Sequence, residues 1–276
     1  MVTGELLKEL TRLLTPLEAR EILSAAAGID REMLFCKMQD PLSEEEVSRA
    51  RAMLERRLAG EPLQYILGEW DFYSRTFKVE KGVLIPREDT EVLVDEALAL
   101  VDKFGAGSLL DLCTGSGCVA VTLALERPAM QVTAADISET ALSLARANVA
   151  SLGAVNCKVI YADVLSDPPE ELWGCFDIVT ANPPYIKSGD IPHLQREVTF
   201  EPSLALDGGE DGLIFYRAIA SRWKKVLKKG GSLALEIGIG QGRDVLEILA
   251  QNGFSSLSAA RDTAGIDRVI VGTLNV

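Results

Sequence analysis

The chain has 276 residues, 47% of them hydrophobic and 25% charged, enough for one large or two modest domains with real cores. Its net charge of −13, with no block of Lys or Arg, lacks the basic footprint of a protein that lives on nucleic-acid phosphates. Five scattered cysteines with no CxxC pair, and the single histidine His193, argue against a zinc site and for reduced, mostly buried thiols.

The opening M-V-T-G-E-L-L-K-E-L is amphipathic and charged, without a signal-peptide core. No apolar run approaches the roughly 20 residues of a membrane span, so a cytoplasmic protein is expected. Thr15-Pro16-Leu17-Glu18 combines an N-cap hydroxyl, a proline at the first helical position and an acid three residues after the cap. Ser43-Glu44-Glu45-Glu46 is a second capping box. It opens a helix with Val47, Ala50, Met53, Leu54 and Leu58 on one face and Arg49, Arg51, Arg56 and Arg57 outside. Gly60-Glu61-Pro62 ends that helix, and residues 1–70 are expected to form a small helical bundle. In F-Y-S-R-T-F-K-V-E-K-G-V-L-I-P, residues 72–86, apolar and polar residues alternate around Lys81-Gly82, which predicts a β-hairpin connection over residues 71–86.

Residues 87–276 carry a different rhythm. After a helix from Thr90 to Val101, apolar runs alternate with turns and helices. The runs are Ser108–Leu112, Gln131–Ala135, Lys158–Tyr161, Phe176–Ala181 and Ser232–Ile237, with helices such as Glu139–Ala150 and Leu213–Leu227 between them. This order predicts an α/β fold, a mostly parallel open sheet with right-handed crossovers and helices on both faces. The tail has no helix between its two strand-like parts, which predicts a closing antiparallel pair at a sheet edge.

In such sheets ligands bind beyond the carboxyl ends of the strands. The loop after the first run is Asp111-Leu112-Cys113-Thr114-Gly115-Ser116-Gly117-Cys118, whose glycines permit a tight turn and a close backbone approach. Asp136, at the end of the next run, can accept both hydroxyls of a ribose. Asp163, in Y-A-D-V, can accept from an adenine N6 while the Val164 N–H meets a ring nitrogen. Gly115-Ser116-Gly117-Cys118-Val119-Ala120 also satisfies the dinucleotide pattern, but a nicotinamide cofactor leaves Asp163 and the segment described next without a task. An adenosine ligand without phosphates uses all of them, so S-adenosylmethionine, with S-adenosylhomocysteine as product, is the better cofactor. Cys113, Thr114, Gly115, Ser116, Gly117, Asp136, Asp163 and Val164 are its candidate ligands, with Asn182 of the segment described next.

Asn182-Pro183-Pro184-Tyr185 follows the fourth run directly. Two prolines cannot continue a helix or a central strand, and Asn182 before proline is pushed to an extended conformation. The segment is a stiff elbow carrying an amide and a phenol. Methyl transfer from a sulfonium needs a nucleophile held in line about 3 Å from the methyl carbon. A planar carboxamide or exocyclic amine is a poor nucleophile, because its lone pair is delocalised. The Asn182 side-chain oxygen and the Pro183 carbonyl can accept from its two N–H groups, and Tyr185 can pack flat on it. Preorganised dipoles then stabilise the charge that develops on nitrogen.

Together these motifs resemble the protein-(glutamine-N5) methyltransferases of class I peptide chain release factors, the PrmC/HemK type. The resemblance runs through G-E-P-L-Q-Y-I-L-G at 60–68, L-I-P-R-E-D-T-E at 84–91, D-L-C-T-G-S-G at 111–117 and A-N-P-P-Y-I at 181–186. It continues through F-E-P-S-L-A-L-D-G-G at 200–209, L-E-I-G-I-G-Q-G at 235–242 and the terminal D-x-x-G-x-D-R-V. It implies a Rossmann-like class I methyltransferase domain behind a helical domain that helps hold the release factor. The activity it implies is methylation of the glutamine in a Gly-Gly-Gln motif. Asn182 and Pro183 would accept from that amide, Tyr185 would pack on it, and the glycine loop, Asp136 and Asp163 would hold the cofactor.

One departure is Cys113, where the broader methyltransferase pattern has glycine; a small cysteine fits there if its φ is negative. Arg87, Glu88 and Thr90 are candidates to line the crevice, with N-capping the alternative for Thr90. Glu201 and Glu236 either face the site or pair with arginines, and His193 is expected to be exposed or locally hydrogen-bonded. The competing readings are glutamine methylation of a ribosomal protein, N6-adenine methylation of nucleic acid, and a cofactor-binding partner without turnover. No metal, no stable nucleic-acid binding and no membrane association are expected.

Overall fold

A computed structural model describes residues 1–105 and 107–275. The chain divides into two compact units, Met1–Glu69 with Arg196–Phe200, and Trp70–Gln195 with Glu201–Val276. In the first unit lie α1 (Thr3–Leu10), α2 (Pro16–Ala27), α3 (Glu44–Leu58) and α4 (Leu63–Leu67). Both expected capping boxes are made: the Thr15 and Ser43 hydroxyls accept from the Glu18 and Glu46 N–H groups, and the glutamates reach back. Leu6, Leu10, Ile22, Leu23, Leu34 and Ala50 are its buried apolar centre. Residues 196–200 were expected with the second domain but belong to this unit. Their Glu197 accepts from Arg57, whose guanidinium also donates to Glu18 at 2.7 Å.

The hairpin is β1 (Glu69–Phe72) and β2 (Arg75–Lys78), turning at Tyr73-Ser74, where φ is 48° and 59°. Two successive residues in the left-handed region match the twist of a tight hairpin. Lys81-Gly82, the expected turn, lies beyond β2 and joins no strand pair. The signal misled because Tyr-Ser lacks the Asn or Gly that usually marks such a turn.

The rest of the second unit is α5 (Glu91–Phe104), β3 (Ser108–Leu112), α6 (Cys118–Glu126), β4 (Gln131–Asp136), α7 (Glu139–Leu152), β5 (Cys157–Tyr161) and β6 (Phe176–Ala181). Then come α8 (Ile214–Ser221), β7 (Leu227–Glu236), α9 (Gly242–Gln251), β8 (Phe254–Arg261) and β9 (Asp267–Leu274). The seven-stranded sheet has the order β5-β4-β3-β6-β7-β9-β8. Pairs up to β7 are parallel, whereas β7–β9 and β9–β8 are antiparallel, as the helix-free tail required. Side chains alternate between two cores: Leu109, Ile178, Ala234 and Val269 pack in one, Leu110, Val179, Leu235 and Ile270 in the other. That period of two, with both faces apolar, is why the runs read as continuous hydrophobic stretches.

Of the cysteines, Cys118 and Cys157 are buried, Cys113 is half-buried, and Cys36 and Cys175 are exposed, fewer buried thiols than composition suggested. Among the described residues no helix is long and apolar enough to cross a membrane.

Candidate active site

The strand order reverses between β3 and β6, the chain going from β3 to β4 on one side and to β6 on the other. At such a switch point the loops beyond the strands diverge and leave a crevice. A cavity of about 1060 Å³, the open water at its mouth included, lies there. Its wall contains Cys113, Thr114, Gly115, Ser116, Asp136, Asp163, Val164, Asn182, Arg87 and Thr90 among the expected residues. Glu88, Gly117, Pro183 and Tyr185 are not in that wall, although Pro184 is.

The loop after β3 is built on a buried carboxylate. Asp111 accepts from the Thr114 hydroxyl at 2.6 Å and from Thr180 of β6 at 2.7 Å, tying the glycine loop to the strand that carries the elbow. Burial pushes this carboxyl up to about 7, against those hydrogen bonds. Cys113 is a correction: its φ is +56°, not negative. A Cβ in the left-handed region crowds the following carbonyl at a cost of about 1 kcal/mol. The loop holds it there through the Thr114 N–H on the Ala135 carbonyl and the Gly117 N–H on Thr114. Gly117 serves packing, since a Cβ on it would lie 3.2 Å from that of Ala145 on α7.

Asp136 is half-buried and accepts from the Gly115 and Ser138 N–H groups, each at 2.9 Å. Burial raises its carboxyl and these backbone donors oppose the rise. Asp163 accepts from the Leu165 N–H and the Ser166 hydroxyl. Its turn is pinned by Trp223, fully buried, whose indole N–H donates to the carbonyls of Val164 at 3.0 Å and Ser166 at 3.1 Å. Ile137 and Leu165, both partly exposed, add apolar surface to the same wall. Among the lining residues Arg87 is the only base, and it pairs with Glu201. Two acids that can take hydroxyls and an amine, apolar flanks and no free base suit a phosphate-free adenosine group better than a dinucleotide.

The elbow is held from behind. The Gln241 amide donates to the carbonyls of Tyr185 at 3.0 Å and Gly212 at 3.2 Å. A Cβ on Gly208 would sit 2.7 Å from the Tyr185 Cα and 2.8 Å from the Pro184 oxygen, so the backbone there passes closer than any side chain allows. The Tyr185 ring lies against Gly238, and burial pushes its phenol up to about 12. The Asn182 amide donates to the Thr90 hydroxyl at 3.2 Å. Thr90 makes no side-chain cap for α5, so its hydroxyl serves Asn182. The two glutamates separate: Glu201 is the ion-pair partner of Arg87, whereas Glu236 is buried beside Thr90 and Asn182 without an ion-pair partner among the described residues. His193 is exposed, on the loop beyond the elbow.

Two family profiles match parts of the chain: residues 5–68 match the one described as PrmC N-terminal domain, and residues 89–201 the methyltransferase small domain. A release factor glutamine methyltransferase of Geobacter sulfurreducens is 43% identical over 259 residues, 94% of this chain and 89% of that one. The chain belongs to the release factor glutamine methyltransferase family. A second member, from Thermodesulfovibrio yellowstonii, is 41% identical over 258 residues, 92% of this chain and 91% of its own. In fold, the chain is similar to a methyltransferase from Pyrococcus furiosus, with TM-score 0.52 and 15% identity over 83% of this chain and 98% of that one. S-adenosylmethionine is the methyl donor of this methyltransferase family.

Several wall residues escaped the sequence reading. Leu84, Ile85, Pro202, Leu204, Ala205 and Phe215 line the cavity, and Trp223 and Gln241 support it. The first five stand in segments already singled out for resemblance, L-I-P-R and F-E-P-S-L-A, a signal that could have named them. Trp223 and Phe215 sit in helical surroundings that read only as core.

Proposed function

We propose that this chain transfers a methyl group from S-adenosylmethionine to the side-chain amide nitrogen of the glutamine in the Gly-Gly-Gln motif of class I peptide chain release factors. The observation that carries the reading is the placement of Asn182 in the same cavity wall as Asp136 and Asp163. Asp136 would hold the ribose hydroxyls and Asp163 with Val164 the adenine edge, with Ile137 and Leu165 as apolar neighbours in the same wall. When bound, S-adenosylmethionine supplies an electrophilic methyl on a positively charged sulfur.

The Asn182 –NH₂ group is engaged with Thr90, so its carbonyl oxygen is left to accept from the incoming amide. The Pro183 carbonyl is the second acceptor, and the Tyr185 ring, neutral at every physiological pH, steadies the planar group. Held in line by these residues, the amide nitrogen would bond to the methyl carbon as the carbon–sulfur bond broke, with the electron pair left on sulfur. The methylated nitrogen, now cationic and strongly acidic, gives its proton to water, so no strong base is needed. The helical unit, residues 1–70, holds the release factor in this reading, and the reaction belongs to the cytoplasm.

Labelled S-adenosylmethionine offered separately with a release factor, ribosomal proteins and DNA tests this. Label is expected on the release factor and to vanish when its glutamine is replaced. Label on nucleic acid or a ribosomal protein alone overturns it. The net charge of −13 disfavours the nucleic-acid outcome.

A further inference from the structure

β6 and β7 are parallel neighbours with Ala181 opposite Leu235, so the residues that follow, Asn182 and Glu236, emerge side by side at the carboxyl ends of the two strands. Glu236 is 3% exposed and its Oε2 has no hydrogen-bond partner among the described residues. Burial raises its carboxyl to about 7, and hydrogen bonding from Thr90 and Asn182 opposes the rise. Arg268 also opposes it, but that guanidinium is bonded to Asp89 and Asp262. A buried carboxyl with no ion pair is costly, and a fold retains one where its acceptor character is used.

An asparagine amide has two ends of nearly equal size, one a donor and one an acceptor. Turned the wrong way, Asn182 would present N–H groups to the N–H groups of the substrate amide. Thr90 alone cannot prevent this, because a hydroxyl both donates and accepts. Thr90 accepts from Asn182, which leaves its single proton for Glu236. In its ionised form Glu236 accepts only, and so gives this chain of hydrogen bonds one direction.

We propose that Glu236 is a positioning residue for the transfer: by accepting from Thr90 and Asn182 it fixes the asparagine amide with its oxygen toward the acceptor nitrogen. This rests on the role assigned to Asn182 above. Glu236→Gln keeps the shape but can donate, so the direction is lost.

The test measures kcat, the KM for release factor and the Kd for S-adenosylmethionine in the full chain. Glu236→Gln is expected to lower kcat about 10–100-fold, the range of a hydrogen bond to a charged group, with the cofactor Kd within about threefold of wild type. Thr90→Val should lose a similar amount, and Thr90→Ser should recover most of it. In an Asn182→Ala background, Glu236→Gln should cost almost nothing further. Unchanged kcat in Glu236→Gln overturns the proposal, and so does a full, additive loss in the Asn182→Ala background. If Asn182→Ala itself leaves turnover intact, the assigned function of the elbow fails instead. Tryptophan fluorescence confirms that each variant is folded, since the three tryptophans, Trp70, Trp173 and Trp223, all lie in the second unit.

Discussion

Acidic side chains in the helical unit and around the cavity live under opposite electrostatics. Glu9 is held below the ordinary glutamate value by its hydrogen bond to Arg51. At Glu18 burial pulls upward but donors from Thr15 and Arg57 win, and Glu46 is lowered by the N–H and hydroxyl of Ser43. Around the cavity Asp111, Asp136, Glu201 and Glu236 are all raised, burial being the leading cause each time. The first set consists of surface acids chosen by helix chemistry and solvated on one side. The second set is buried around the cavity at a cost in stability.

The sharpest test of that contrast is Asn182→Ala. It is expected to lower kcat by about 10²–10³, the loss seen when one preorganised dipole is removed, while cofactor binding changes little. A large loss of cofactor affinity with turnover intact would break the assignment.

The pH dependence of stability should carry both signs. Asp111 and Glu236 have folded values of about 7, above 3.8 and 4.5, so between these limits the native chain holds protons that the unfolded chain has released. Stability of the second unit therefore falls as pH rises from about 4 to about 7, by a few kcal/mol, and is level above. The lowered acids of the helical unit act the other way: their contribution is present above about 4.5 and fades as pH falls through their folded values. Urea unfolding followed by tryptophan fluorescence at pH 5 and pH 8 reads the second unit, and Asp111→Asn should flatten its slope.

Asp136→Ala should weaken S-adenosylmethionine binding about 10–100-fold by calorimetry, as loss of hydrogen bonds to a charged acceptor does. An unchanged affinity would remove Asp136 from the cofactor site. Cys113→Gly should raise stability by about 1 kcal/mol in the same urea titration, because glycine adopts a positive φ without strain. Smallest of all, Glu9→Gln should move the melting temperature by no more than about 2 °C, since exposed ion pairs contribute little. A larger change there would mean that the helical unit relies on its surface charges.

Much of this was legible before any coordinates. Ser108–Leu112 and Phe176–Ala181 have the predicted bounds, because a strand buried on both faces is a short, mainly apolar run set between turn residues. Both capping boxes are local, needing residues only three positions apart. The hairpin was misplaced because Tyr73-Ser74 adopts its turn without the residues that usually announce it. Glu201 and Glu236 look alike in sequence, and only Arg87 beside one and its absence from the other tells them apart.

The amino-acid order alone determined the alternation of strands and helices, the glycine loop, the stiff elbow and the acids at strand ends, since each follows from period, backbone restriction or short-range capping. Tertiary structure decided the positive φ of Cys113, the return of residues 196–200 to the helical unit and the alignment of Glu236 beside Asn182. Those depend on which distant segments become neighbours, and burial and pairing between them have no signature along the chain.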